Sequence, residues 1–167
     1  ASAAEMIKIR YALIPYLYSE FLKAALNDEM MFRPLAFDFP EDNTAKQVED
    51  QLFLGNELMI APIYKQNAQG RYVYLPEEMM MISMKSVNDY TAAVLPAGHH
   101  YVEAPLDTLV FFIRKGKAIP FGAAADNTSQ IDMSALRLLG YEGSTYELYS
   151  DNGYSPEPED SLKITTL

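Results

Sequence analysis

Between Met6 and Leu26 the apolar residues step by three and four. Ile7, Tyr11, Ile14, Tyr18, Leu22 and Ala25 form one stripe, and Leu13, Leu17, Phe21 and Leu26 form a second. A helix apolar over so much of its circumference has to be covered on more than one side, as one packed between a sheet and further elements is. Everything downstream has to supply that cover or leave it to another surface. Pro15, which has no backbone donor, predicts a kink or restart within this helix, and Asn27-Asp28 its end.

After the helix the spacing predicts a strand over Met31–Phe39, a turn over Pro40–Asn43 and a second helix over Thr44–Leu54. Thr44-x-x-Gln47 has capping-box spacing, so Glu41 and Asp42 stand beside a helix N-terminus, whose partial positive charge favours acids. A continuous apolar run, Leu58–Tyr64, follows Gly55 and predicts burial on both faces. From there the texture is short strands between turns: Arg71–Leu75, Met79–Lys85, Thr91–Leu95, His100–Glu103, Val110–Arg114 and Leu136–Tyr141. Such spacing with Gly and Pro punctuation argues for an antiparallel sandwich or barrel. Tyr146–Tyr149 leads into Asp151-Asn152-Gly153, a dipeptide setting suited to a tight hairpin. The small, polar stretch 123–132 reads as a linker, and no internal repeat is visible.

Composition decides which chemistry these elements can carry. A net charge of −10, from 23 acids against 13 bases, repels a phosphate backbone, so no nucleic acid partner is expected. The absence of cysteine excludes a disulfide framework and a thiolate zinc site and fits a reducing compartment, making the cytoplasm the expected location. The opening ASAAEMIKIR lacks the apolar core of a signal peptide, and no apolar run reaches spanning length, so no membrane partner is expected.

Several residues invite a functional reading. Asp38, Glu41 and Asp42 crowd a strand end and could supply an acid/base pair, although ending a strand and capping a helix accounts for them as well. His99 and His100 are adjacent, and in a strand their rings point to opposite faces and cannot converge on one metal. Met79, Met80, Met81 and Met84 could suggest a soft-metal site. In a strand, however, Met79 and Met81 face one side and Met80 and Met84 the other, which suits core filling. Asp151-Asn152-Gly153 lacks the spaced oxygen ligands of a calcium loop. From the residues alone, no catalytic, substrate-binding or metal site is assigned and no cofactor is expected.

Five segments taken together carry a resemblance. RYALIPYLYSEFLKAAL, MMFRPLAFDFPEDNTAKQVEDQLFLGNELMIAPIY, GRYVYLP, APLDTLVFFIRKGKAIP and YELYSDNG resemble, in order and spacing, the C-terminal part of glycoside hydrolase family 31, the α-glucosidase family. The likeness runs from about Arg10 to Gly153. It implies a mixed, mainly β chain: an antiparallel β-sandwich preceded by the last elements of a (β/α)8 barrel. On that resemblance residues 1–54 are the barrel's closing helix, strand and helix, 55–122 a proximal sandwich, and 123–167 a linker and the start of a distal β-domain, expected to be curtailed. The family hydrolyses α-glucosides with retention through two aspartates that lie upstream of all these blocks, so the resemblance carries no catalytic residue into this chain. EEMMMISM stands where relatives have a tryptophan-containing stretch, and Asp151-Asn152-Gly153 where Asp-Asp-Gly is common.

The resemblance implies that Leu13, Leu17, Phe21, Phe37 and Phe39 meet the remainder of a glycosidase chain, or a second copy. Two other readings compete with it. In one, a carbohydrate-binding module presents Tyr72, Tyr74, Tyr90 and Tyr101 as an aromatic platform. In the other, an interaction subunit uses the first helix and the methionine stretch as its contact, and its sandwich survives removal of residues 1–30.

Overall fold

A computed structural model of the protein describes residues 3–155 and 157–167. Helix α1 spans Ala3–Asn27 and runs through a buried Pro15 without interruption, so the expected restart does not occur. It ends where Asp28 takes a left-handed backbone (φ 54°) and Glu29 N–H donates to Ala24 O at 2.9 Å, a closure usually made by glycine.

The chain then forms strand β1 (Phe32–Pro34), a single helical turn α2 (Leu35–Asp38), β2 (Leu52–Leu54) and β3 (Leu58–Ile60). Two expectations are corrected here. The strand foreseen over 31–39 stops at Pro34, and Leu35 turns into a helical position that buries its side chain completely. The helix foreseen over 44–54 is one 3-10 turn, Ala45–Gln47. Its cap is Asp42, whose Oδ1 accepts from the N–H groups of Thr44 (2.8 Å) and Ala45 (3.1 Å), while the Thr44 side chain caps nothing. Beyond it the backbone has to be extended. The buried Gln51 amide donates to Tyr74 O (2.7 Å) and accepts from Tyr74 N–H (2.8 Å), completing the edge of a neighbouring strand with a side chain.

Strands β4 (Gly70–Leu75), β5 (Met79–Ser86), β6 (Asp89–Leu95), β7 (Gly98–Glu103), β8 (Leu109–Arg114), β10 (Arg137–Gly140) and β11 (Glu147–Ser150) lie where the sequence places them to within a few residues. Two more, β9 (Ala118–Phe121) and β12 (Lys163–Thr166), were not foreseen. The run after Gly55 is a strand only to Ile60, and Pro62 to Tyr64 are exposed. Asp151-Asn152-Gly153 does not close a tight hairpin: β11 pairs with β12, which begins only at Lys163.

All pairings are antiparallel. Six strands form one sheet in the order β1-β2-β3-β8-β5-β6, and β4–β7, β9–β10 and β11–β12 form ribbons. The large sheet is covered on both sides, and its pleat sorts side chains between two cores. Leu54, Leu58, Ile82, Met84, Phe111 and Ile113 face one core, closed by Ile9, Ala12 and Tyr16 of α1 together with Ile119, Phe121, Leu139, Tyr146 and Leu148. Phe53, Met59, Met79 and Phe112 face the other, closed by Leu35, Ala45, Val73, Leu75 and Val102. Met80 packs on the first core and Met81 on the second, as strand alternation requires. The methionines and α1 are thus structural, which removes the basis for an interaction subunit whose sandwich is independent of α1.

Candidate functional site

The acids at 38–42 come together with arginines. Asp38 receives Arg33 through two hydrogen bonds, Nε to Oδ1 at 2.8 Å and Nη2 to Oδ2 at 3.1 Å, and Arg114 Nη1 to Oδ2 at 2.6 Å. Arg114 Nε also reaches Glu77 Oε1 at 2.6 Å, and its guanidinium lies 4.6 Å from the centre of the Phe53 ring. Burial raises the Asp38 pKa, but its two arginines outweigh this and hold the carboxyl below its ordinary range. Asp42 spends one oxygen on the 3-10 turn and the other on Tyr74 Oη at 2.6 Å, and the phenol bond lowers its pKa. Glu41 is exposed. Two carboxylates engaged in this way are ionised clamps that tie α2 to β8 and the 40–47 turn to β4. An acid/base pair instead needs one carboxyl poised near the working pH.

The two histidines stay apart in role. The His99 ring packs against Tyr74 with centres 4.9 Å apart and a tilt of 47°, while His100 Nε2 lies 2.8 Å from Pro96 O. Among the described residues no three His, Cys, Asp or Glu side chains gather to hold a metal ion. Asp151 Oδ1 accepts from Tyr18 Oη (2.7 Å) and Gly153 N–H (3.0 Å), and Asn152 Oδ1 caps Tyr154 and Ser155, so these side chains are spent on a loop.

A buried polar cluster escaped the sequence reading. Tyr146 Oη donates to Glu20 Oε1 at 2.6 Å, Lys23 Nζ pairs with the same oxygen at 2.7 Å and lies 3.9 Å over the Tyr146 ring. Tyr16 Oη donates to Leu54 O at 2.5 Å and reaches Glu57 Oε2 at 3.3 Å. Burial first, and the nearby Glu20 second, push the Glu57 carboxyl up, and burial likewise raises both phenols. The only hint in the sequence is Glu20, four residues after Tyr16 on an apolar helix face. Gly55 makes room for this cluster: at φ 65° its α-carbon lies against Glu20 and Tyr16, and a β-carbon there would sit 2.3 Å from Glu20 Oε2.

Two open surfaces remain. The second stripe of α1, Leu13 and Leu17, forms with Leu58, Ile60, Leu109 and Phe111 an apolar groove of about 740 Å³. Phe21 and Phe37 are 55% and 59% exposed, whereas Phe39 packs on Phe53 with ring centres 5.9 Å apart. Across the 63–68 segment, which borders the groove, Tyr72 and Tyr101 are exposed. Tyr74 is half-buried and Tyr90 lies beneath Arg137 against the first core, so the four tyrosines do not form one platform.

Comparison with known proteins places this geometry. The model of the glycosyl hydrolase family 31 C-terminal domain matches residues 28–119. Alpha-glucosidase 2 of Bacillus thermoamyloliquefaciens is 32% identical over 95% of this chain, and lysosomal alpha-glucosidase of Mus musculus is 31% identical over 88%. The chain spans only 20% and 17% of these two proteins, which carry the region within longer glycosidase chains. Among solved structures, a family 31 dextranase variant of Flavobacterium johnsoniae complexed with isomaltotriose aligns over 96% of this chain and 20% of its own, with a TM-score of 0.75 and 26% identity. A family 31 alpha-xylosidase of Xanthomonas citri aligns over 96% of this chain and 17% of its own, with a TM-score of 0.77 and 25% identity.

Proposed function

Because this chain belongs to glycosyl hydrolase family 31, we propose that it works as the C-terminal β-portion of a retaining enzyme acting on α-glucosides, supporting a catalytic barrel and supplying no catalytic residue itself. The observation that carries this reading is the pairing of coverages. Nearly all of this chain aligns to its relatives, yet it accounts for a fifth or less of their length. A retaining mechanism needs two carboxyl groups about 5 Å apart, one to attack the anomeric carbon and one to protonate the leaving oxygen. Asp38 and Asp42 are occupied as structural clamps, so the reacting pair is assigned to the upstream barrel.

On this reading residues 1–54 are the last elements of that barrel, 55–122 make the proximal sandwich, and 123–167 are a linker and the start of the distal domain. The apolar groove beside Leu13 and Leu17, with Phe21 and Phe37 at the surface, is the face that meets the barrel. An uncovered patch of this kind marks an interaction surface and predicts self-association when the barrel is missing. We place the parent enzyme in the cytoplasm, on the strength of this chain's lack of cysteine.

The test is to join the chain to its upstream barrel and to compare the native sequence with a Phe21→Glu, Phe37→Asp double variant. Both rings are exposed in this chain, so its own fold should survive. The reading expects a soluble, active native protein and a variant whose barrel aggregates or is clipped. A variant of unchanged yield and activity would overturn the assigned docking face.

A further inference from the structure

The outward face of the β4–β7 ribbon carries aromatic rings in two successive cross-strand pairs. Tyr72 stands opposite Tyr101 with ring centres 5.3 Å apart, and Tyr74 stands opposite His99 at 4.9 Å. The pleat explains why these four share a face: Val73 and Leu75 alternate with them into the second core. Tyr72 is 71% and Tyr101 56% exposed, and Tyr64, on the loop beside them, is 67% exposed. Leaving three large rings to water in one place forgoes the burial that aromatic side chains ordinarily supply.

The surroundings are built and fixed. Arg71 pairs with Asp50 Oδ1 at 2.6 Å, donates to Pro62 O at 2.7 Å and to Asp50 O at 3.2 Å, and lies 5.8 Å from the centre of the Tyr64 ring. Tyr64 Oη donates to Asp50 Oδ2 at 3.3 Å. One arginine therefore ties the Tyr64 loop to the strand that carries Tyr72. Two clefts, of about 330 and 410 Å³, lie on either side of a wall shared by Asp50, Tyr64, Arg71 and Tyr72. Each is of the size that takes a small ligand.

We propose that this double cleft is a surface carbohydrate site that stacks an α-linked glucose chain on Tyr72, Tyr101 and Tyr64. A pyranose has an apolar C–H face and a rim of hydroxyls. The cleft offers flat rings for the face and the Asp50 carboxylate, the Arg71 guanidinium and the phenols for the rim. Because Arg71 holds the walls in place beforehand, little ordering is left for the ligand to impose. The site adjoins the apolar groove beside α1, with which one cleft shares Ile63, Lys65 and Ala68, but none of its three tyrosines lines that groove. The choice of α-glucan as the sugar class rests on the function proposed above.

The experiment is native electrophoresis of the chain in gels cast with and without soluble dextran or amylose, repeated for Tyr72→Ala/Tyr101→Ala and for Tyr154→Ala, an exposed tyrosine elsewhere. The chain and Tyr154→Ala should be retarded by glucan. The double variant should bind about tenfold or more weakly, the worth of two lost ring contacts, with an unchanged thermal midpoint. No retardation, or equal retardation of the double variant, overturns the proposal. Hydrolysis of a small nitrophenyl α-glucoside by the chain joined to its barrel separates the two ideas. Activity without retardation removes this site alone, and retardation without activity leaves the site and removes the enzyme reading.

Discussion

Asp38 is the residue whose role changed most once its neighbours were visible. Its partner Arg114 lies 76 positions away in the chain, so no local pattern could reveal that its carboxyl is a junction between two elements. Asp42 was legible only in part, because Thr44 and Ala45 are two and three residues on whereas Tyr74 is 32 away. The clamp makes an acid-limb prediction. Since the folded pKa of Asp38 is lowered from 3.8, its stabilisation is complete above that value and is lost as pH falls below it. Asp38→Ala should lower stability by about 1–3 kcal/mol at neutral pH, less than a fully buried pair because the cluster is partly solvated. The deficit should shrink below about pH 4, and thermal melts across pH measure both effects. Glu57 has the opposite sign. Its folded pKa is raised from 4.5, so stability is full below that value and declines as pH rises, because the unfolded chain gives up its proton first. Glu57→Gln keeps an acceptor for Tyr16 and should raise the melting temperature at pH 7 but not at pH 4. A variant that is less stable at pH 7 would contradict this assignment.

At the scale of elements, strands with clean alternation were read correctly and segments governed by long-range partners were not. The methionine strand β5 is the clearest success: Met79 and Met84 are both fully buried, in different cores, as a period of two dictates. The segment 44–54 failed because its extended conformation is imposed by Gln51 completing β4 and by Phe53 and Leu54 facing opposite cores, neither of which a helix allows. Strand β9 contains Pro120, which argues against a strand, yet its ribbon has only two strands, so both are edges, where proline is tolerated. The opening helix is the element on which the fold depends most. Besides its core residues, Ala12 O accepts from Gly122 N–H at 2.8 Å and Ser19 Oγ from Tyr149 N–H at 2.9 Å, tying β9 and β11 to it. Deleting residues 3–27 should therefore abolish cooperative unfolding and induce binding of an apolar dye. A sandwich that melts sharply without α1 would show that the helix is an appendage.

For the whole molecule, the same helix does two jobs. The line Ile9, Ala12 and Tyr16 closes the first core, while Leu13 and Leu17 at its flank also border an apolar groove that none of the described residues fills. Neither stripe of the sequence marks that inward line: Ile9, Ala12 and Tyr16 belong to neither, and Ile7 of the first stripe is 52% exposed, because the inward side is set by the packing of β5, β9 and β11 on the helix. No helix among the described residues is long and apolar enough to cross a membrane. Under the proposed function the chain is a support: a twice-covered sheet in which Asp38 and Asp42 hold loops and strands together, with the chemistry assigned to a barrel outside it. The most direct test is to assay purified chain, alone and fused to its upstream barrel, for release of glucose from a maltose-like substrate while following the product anomer by NMR. The account predicts no turnover by the chain alone and release of the α-anomer first by the fused protein. Hydrolysis by the isolated chain, co-eluting with it and lost when Asp38 or Asp42 is replaced, would contradict it.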